Sequence, residues 1–400
     1  MTPSPRTVVV LGSTGSVGTQ ALEVVAAAPG RFRILGLAAG GSDPELLARQ
    51  ALAHQVPTLA VADPAAAGPV REAWAALAGD GPGEVLAGPD AAAELAARGS
   101  DVVLNAITGS VGLRPTLAAL AAGSTVALAN KESLVVGGAL VTGALQRPDQ
   151  IVPVDSEHSA IWQCLNGVPP AQVRRLVLTA SGGPFRGRTR AELADVGPED
   201  ALAHPTWSMG PVVTVNSASM MNKALELAEA HVLFGVPADD VVVVVHPQSV
   251  VHSMVELVDG STLLQASPPD MRLPIALGLS WPERLDAVAP ACDWSTAATW
   301  TFEPLDDEVF GAVRLVRHAV AASATHPAVV NAANEECVAA FLAGRLRFPG
   351  IVDTVERVLD EHEGVLADRV RLADVLEAEE WARRRTRQLI GSDGSADSLR

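Results

Sequence analysis

Tyrosine is absent from the 400 residues, and aromatics together make up only 4%. No Tyr-based general acid is available, and the low aromatic content argues against a platform for stacking bases. Cysteine is scarce. Cys164, Cys292 and Cys337 are far apart, odd in number, and form no CxxC or Cys/His spacing. That argues against a disulfide framework or a zinc–thiolate site, and points to a reducing, cytoplasmic setting. Positive charge is in deficit, with 29 Lys and Arg against 46 Asp and Glu and a formal net charge of −17. Nucleic acid and anionic membrane are disfavoured as partners. No apolar run approaches the length of a membrane span, and the opening Met1-Thr2-Pro3-Ser4-Pro5-Arg6 lacks the layout of a signal peptide.

What is present is core-forming sequence. Hydrophobic residues make up 48% and the length exceeds one common core, so two or three domains are expected. Residues 1–150 alternate apolar strands with Ala-rich helical stretches, the pattern of an α/β doubly wound parallel sheet. Strands are predicted at Thr7–Leu11, Arg33–Leu37, Thr58–Val61, Val102–Asn105 and Thr125–Ala129. Residues 151–285 change to an α+β pattern, with strands at Val173–Thr179, Val241–Val245 and Ser249–Leu257 and long Gly/Pro/Ser loops. One of these, 203–212, reads as a mobile lid. Residues 286–311 read as a linker, 312–390 as a helical domain, and 391–400 as a flexible tail.

The first strand runs directly into Gly12-Ser13-Thr14-Gly15-Ser16-Val17-Gly18. Gly12 allows the turn, Gly15 lets backbone approach a pyrophosphate, and Gly18 permits close helix–sheet packing, as in a Rossmann-like nucleotide site. The second strand ends in Ala39-Gly40-Gly41-Ser42-Asp43. It has neither an acidic residue at its tip nor an Arg or Lys, so it does not choose between NAD and NADP, and Asp43 is placed to cap the next helix. Asn130-Lys131-Glu132-Ser133 follows another strand end, where Lys131 reads either as a carbonyl-polarising lysine or as a solvated turn lysine.

Three carboxylates offer an all-oxygen metal site. Asp155 and Glu157 in Asp155-Ser156-Glu157-His158 are two apart and converge on one ion in a turn, although Asp-Ser-Glu is equally good helix-capping chemistry. Glu226 follows Asn222 by four and Lys223 by three on a helix predicted over Met220–Phe234, with Ser217 and Ser219 as capping candidates. A surface salt bridge is the rival reading of that face. Ser181-Gly182-Gly183-Pro184-Phe185 suits phosphate oxygens or is a plain turn. His204-Pro205-Thr206-Trp207-Ser208-Met209-Gly210 carries the lid. His246 and His252 read as core or interface histidines.

Together these segments, with His246–Glu256 and Pro269–Ile275, resemble the 1-deoxy-D-xylulose 5-phosphate reductoisomerase family, and they run in family order. The resemblance implies rearrangement of 1-deoxy-D-xylulose 5-phosphate, a sugar phosphate, by retro-aldol and aldol steps. NADPH then reduces the aldehyde to 2-C-methyl-D-erythritol 4-phosphate. It implies NADPH held by Thr14, Gly15, Ser16 and Val17, by Gly40, Gly41 and Ser42, and by Asn130, Glu132 and the Gly210 backbone. It implies Mg²⁺ or Mn²⁺ on Asp155, Glu157 and Glu226. Lys131, Ser156 and Glu157 would meet the reacting end of the substrate, and Ser181, His204, Ser217, Asn222 and Lys223 its phosphate side, under Trp207 and Met209, with Glu226 also among the substrate-binding residues. The catalytic set would be Lys131, Asp155, Glu157, Glu226 and His204, in a homodimer. One departure stands out. The family usually has Ala-Gly-Lys-Asn after the second strand, whereas here Gly41 and Ser42 replace Lys and Asn. NADPH preference then rests on the Ser42 hydroxyl and backbone N–H groups. Two rival readings are a plain dehydrogenase of a phosphorylated aldehyde and a non-catalytic nucleotide-binding module.

Overall fold

The computed structural model describes residues 4–78, 83–207 and 209–397, with side chains up to residue 392. The chain divides into two compact units. One is Met1–Ser133, Gly143–Ser159 and Asp270–Pro290; the other is Leu134–Thr142, Ala160–Pro269 and Ala291–Arg400. The sequence reading divided the chain at residues 150 and 285 instead.

The first unit is built on seven parallel strands: β1 (Arg6–Leu11), β2 (Phe32–Ala39), β3 (Thr58–Val61), β4 (Glu84–Ala87), β5 (Val102–Asn105), β6 (Thr125–Leu128) and β7 (Ile151–Pro153). Their order is β4-β3-β2-β1-β5-β6-β7. The chain therefore winds outward from β1 to one edge and then returns to start the other half at β5. In such sheets ligands bind at the carboxyl ends of the strands at this reversal. The central strands are buried runs because helices cover both faces; Val8, Val10 and Leu104 are fully buried. Asp43 caps the Pro44–Ala53 helix as expected, its Oδ1 accepting from Leu46 N at 2.8 Å.

The Arg272–Ser280 helix belongs to this unit because its apolar face completes the sheet's core. Ile275, Ala276 and Leu279 join the buried cluster that contains Val8, Leu104 and Val154. Gly278 permits the approach, since a Cβ there would stand 2.9 Å from the Val154 side chain and 3.1 Å from Ala127 Cβ.

The second unit holds a mixed sheet of β8 (Val173–Ala180), β9 (Val241–Val245), β10 (Val251–Leu257), β11 (Thr262–Ala266) and β12 (Glu303–Pro304), in the order β11-β10-β8-β9-β12. Residues expected to form only a linker thus supply an edge strand. The helices Ala312–Ala322, His326–Leu342, Gly350–Asp360 and Leu372–Asp397 follow. The last one continues through Asp397, into the stretch expected as a tail; residues 398–400 lie outside the described residues. Among the described residues no helix is long and apolar enough to cross a membrane.

Candidate functional site

In the first unit the glycine loop sits where the sheet reverses. Gly12 has φ +82°, and a Cβ on it would meet Ala106 O, just beyond β5, at 2.6 Å. A Cβ on Gly18 would meet Gly12 O at 2.2 Å. Both positions therefore exclude a side chain. Gly15 precedes the Ser16–Ala27 helix with no side-chain cap and no acidic residue in the first turn. Backbone N–H groups and the positive end of the helix dipole are thus presented as an anion would need them. This cradle, together with the exposed Ser16 and half-buried Thr14 and Val17, fits a pyrophosphate.

Asn130 is buried and spends its amide on the loop beside the cradle. Its Nδ2 donates to Ile107 O at 2.7 Å, Gly109 O at 2.9 Å and Glu132 Oε2 at 2.8 Å. Gly41, in the loop after β2, has φ +108°, and a Cβ there would lie 2.5 Å from Ala66 Cβ. On this backbone a lysine at position 41 would not fit unless the loop moved.

Lys131 and Asp155 are both mostly buried, with Nζ 2.8 Å from Oδ2. Asp155 Oδ1 accepts from Glu157 N at 3.2 Å and pairs with His158 Nδ1 at 3.1 Å. Asp155 therefore caps the Ser156–Leu165 helix with one oxygen and faces the lysine with the other. The capping reading and the ligand reading are compatible. Burial pushes the Asp155 carboxyl up, but Lys131 and His158 outweigh it and hold it well below the usual carboxylate range. Ser156 Oγ donates to Glu157 Oε2 at 2.8 Å, which orients the second carboxylate. Sequence reasoning assigned no role to His158. Its signal was the i,i+3 spacing from Asp155 on a helix.

In the second unit the expected capping by Ser217 is corrected, whereas Ser219 Oγ accepts from Met221 N at 3.4 Å at the start of the next helix. Pro211–Ala218 is itself a helix, with Gly210 before it, and Ser217 lies in its last turn. Met220 follows with φ +61°, and the next helix is Met221–Phe234. Asn222 and Lys223 are thus in a first turn, as expected. Asn222 Nδ2 donates to Glu226 Oε1 at 2.6 Å, and Lys223 pairs with Glu226 Oε2. Lys223 and Glu226 are buried, so the surface salt bridge is excluded.

Ser181 Oγ and Ser217 Oγ each lie 3.1 Å from His204 Nε2. Gly183, at φ +63°, makes this possible: a Cβ there would meet Ser217 O at 2.9 Å. Ser181 opens onto a cavity of about 460 Å³ that Arg186 and Arg188 also line. Burial lowers the His204 pKa. Trp207 and Met209 are half-buried, and Ser208 lies outside the described residues. His246 and His252 are core histidines, as expected. His246 Nδ1 pairs with Thr301 O at 2.9 Å, and His252 Nε2 with Ser267 O at 3.2 Å.

Three family models match the chain. They describe 1-deoxy-D-xylulose 5-phosphate reductoisomerase at residues 8–138, its C-terminal domain at 151–234, and a DXP reductoisomerase C-terminal domain at 266–385. A 1-deoxy-D-xylulose 5-phosphate reductoisomerase of Beutenbergia cavernae is 66% identical over 98% of this chain and 100% of its own length. The chain belongs to the 1-deoxy-D-xylulose 5-phosphate reductoisomerase family. The Kitasatospora griseola reductoisomerase is 62% identical over 95% of this chain and 99% of its own. A solved reductoisomerase from Zymomonas mobilis in complex with NADPH shares 42% identity, covers 96% of this chain and 99% of its own, and superposes with a TM-score of 0.88. A solved DOX-P reductoisomerase in complex with NADPH, fosmidomycin and magnesium shares 34% identity at a TM-score of 0.89, covering 96% and 98%.

Proposed function

We propose that this chain is an NADPH- and divalent-metal-dependent oxidoreductase that converts 1-deoxy-D-xylulose 5-phosphate to 2-C-methyl-D-erythritol 4-phosphate, feeding the non-mevalonate route to isoprenoid precursors. Beyond family membership, one observation carries the reading. Asp155 is mostly buried with Lys131 Nζ 2.8 Å from its Oδ2, which puts a hard carboxylate ligand beside an electrophile-stabilising lysine.

The residues fit the two groups the family implies. Asp155, Glu157 and Glu226 offer hard carboxylate oxygens, which suit Mg²⁺ or Mn²⁺. The glycine cradle at Gly12–Gly18 suits the pyrophosphate of NADPH, with Gly40, Gly41, Ser42, Asn130, Glu132 and the Gly210 backbone completing that site. When bound, the nicotinamide supplies hydride and the cation supplies Lewis acidity.

The chain's own residues do the rest. Lys131 places positive charge where the substrate's carbonyl and hydroxyl oxygens gain negative charge. Ser156 and Glu157 orient that end. Ser181, Ser217, Asn222 and Lys223 hold the phosphate, with His204 beside them, so binding energy remote from the changing C–C bonds keeps the fragments together. Trp207 and Met209 cover the substrate against water. A cytoplasmic homodimer belongs to the same proposal and is checked by light scattering.

The deciding assay is NADPH oxidation with 1-deoxy-D-xylulose 5-phosphate after EDTA treatment, with and without added Mg²⁺. Turnover that survives chelation would instead indicate a simple dehydrogenase. Asp155→Asn, Glu157→Gln and Glu226→Gln should each lower kcat by roughly 10²-fold or more while NADPH binding persists. Near-normal turnover in chelator-treated Glu226→Gln would remove that residue from the metal set.

A further inference from the structure

His204 Nδ1 accepts two backbone protons, from Thr206 N at 3.1 Å and Trp207 N at 2.9 Å. A ring nitrogen that accepts cannot carry the proton, so the proton of the neutral imidazole is on Nε2. That nitrogen lies between the Ser181 and Ser217 hydroxyls, 3.1 Å from each.

We propose that His204 is a positioning residue whose tautomer, fixed by the Thr206 and Trp207 amides, presets Ser181 and Ser217 as hydrogen-bond donors to a phosphate anion. The inference rests on the phosphate-side reading given above and adds how the hydroxyls are oriented. Because Nε2 donates, neither serine can spend its proton on the ring. The single Nε2–H is shared between the two hydroxyl oxygens, Ser181 Oγ also accepts from Gly183 N at 3.2 Å, and both hydroxyl protons are thereby left for an anion. With the other tautomer, Nε2 would draw one hydroxyl proton to itself and a serine lone pair would confront the anion.

Protonating the ring would set an Nδ1–H against two N–H donors and open the Thr206–Trp207 turn. Burial opposes that by lowering the pKa. The charged and titratable groups around this corner are Arg186, Arg188 and Asp200 at the adjoining cavity, Lys223 and Glu226 on the helix after Ser217, and His252, whose ring centroid is 6.3 Å from that of Trp207.

Two substitutions separate the halves of the imidazole. In His204→Asn the short amide oxygen replaces Nδ1 as an acceptor for the turn, but nothing reaches the serines. In His204→Gln the longer amide reaches the serines as a donor, but the turn loses its acceptor. Hydrogen exchange at the Thr206 and Trp207 amides and the steady-state constants for 1-deoxy-D-xylulose 5-phosphate are measured on the full chain with NADPH and Mg²⁺. We expect His204→Asn to keep amide protection and raise KM about tenfold or more, the worth of one charge-assisted hydrogen bond, with the loss in KM rather than kcat. His204→Gln should lose protection about tenfold and raise KM less. Indistinguishable variants, or a protected turn in His204→Gln, would overturn the proposal. Ser181→Ala and Ser217→Ala test the underlying reading separately. If neither changes KM, the serines do not take the phosphate, whatever the exchange data show for the turn.

Discussion

Lys131 Nζ stands 2.8 Å from Asp155 Oδ2, with the two side chains 14% and 11% exposed. The lysine offsets the burial that would otherwise raise the acid's pKa. In Lys131→Met the burial remains and the counter-charge goes, so the Asp155 pKa should move upward. The acid limb of the kcat/KM profile should then shift to higher pH, and turnover should fall by roughly 10²–10³-fold. An unmoved acid limb would show that Lys131 is not what keeps Asp155 ionised, leaving that to His158 and the bound cation.

Gly41→Lys restores the residue type the family carries after β2. It should nevertheless fail to improve NADPH affinity. The φ of +108° and the 2.5 Å approach of a Cβ to Ala66 require the loop to move. A loss of roughly 1–3 kcal/mol is expected, read as a lower Tm in a thermal scan. A variant with unchanged Tm and tighter NADPH would show that the loop adapts freely.

Gly183→Ala addresses the corner where Ser181 meets Ser217. The added methyl would press on Ser217 O at 2.9 Å and Ala218 Cα at 3.1 Å, from a residue at φ +63°. The serine hydroxyls should separate, raising KM for the sugar phosphate about tenfold while NADPH binding holds. Isothermal titration with each ligand separates the two effects.

Acid should loosen the C-terminal helices before it reaches the rest of the chain. Burial, with a smaller contribution from neighbouring His326, lowers the His362 pKa from 6.5 to about 4. Thr325 Oγ1 is 2.8 Å from His362 Nε2, and Ser323 Oγ is 2.7 Å from His326 Nδ1. Because the folded-state pKa is depressed, the unfolded chain binds more protons between the two values. The stabilisation is complete above about pH 6.5 and is lost as pH falls through about 4. His362 is part-exposed, so the effect is on the order of 1 kcal/mol. Denaturant midpoints of wild type and His362→Gln measured between pH 7 and 4 should converge as pH falls.

The strands that sequence reasoning missed are all at edges. β4 and β7 close the first sheet, and β11 and β12 close the second. β4, β11 and β12 carry exposed positions in place of the buried run that marked β1, β3 and β5, and β7, although buried, is only three residues long. Pro153 in β7 argues against a central strand and is tolerated at the edge. The Pro211–Ala218 helix was hidden for a related reason, since Val212, Val213, Thr214 and Val215 are β-branched and read as anything but helix. At the site, the shared helix face of Asn222, Lys223 and Glu226 was legible from spacing, but spacing alone fitted a surface salt bridge, and only the family resemblance gave the three a role. The link between His204 and two serines 23 and 13 positions away was not, because it depends on how a loop folds back.

The crowding at Gly12 and Gly18 sets limits on cofactor engineering. Where even a methyl group collides with main chain, Gly12 and Gly18 themselves cannot be varied, so side-chain change at the pyrophosphate end is confined to Thr14, Ser16 and Val17. A change of nicotinamide preference must therefore be made along the loop after β2. There a Cβ on Gly40 would meet nothing within 4 Å, and Ser42 is already exposed. These two positions, rather than the glycine signature or Gly41, are where a designed library has room to vary.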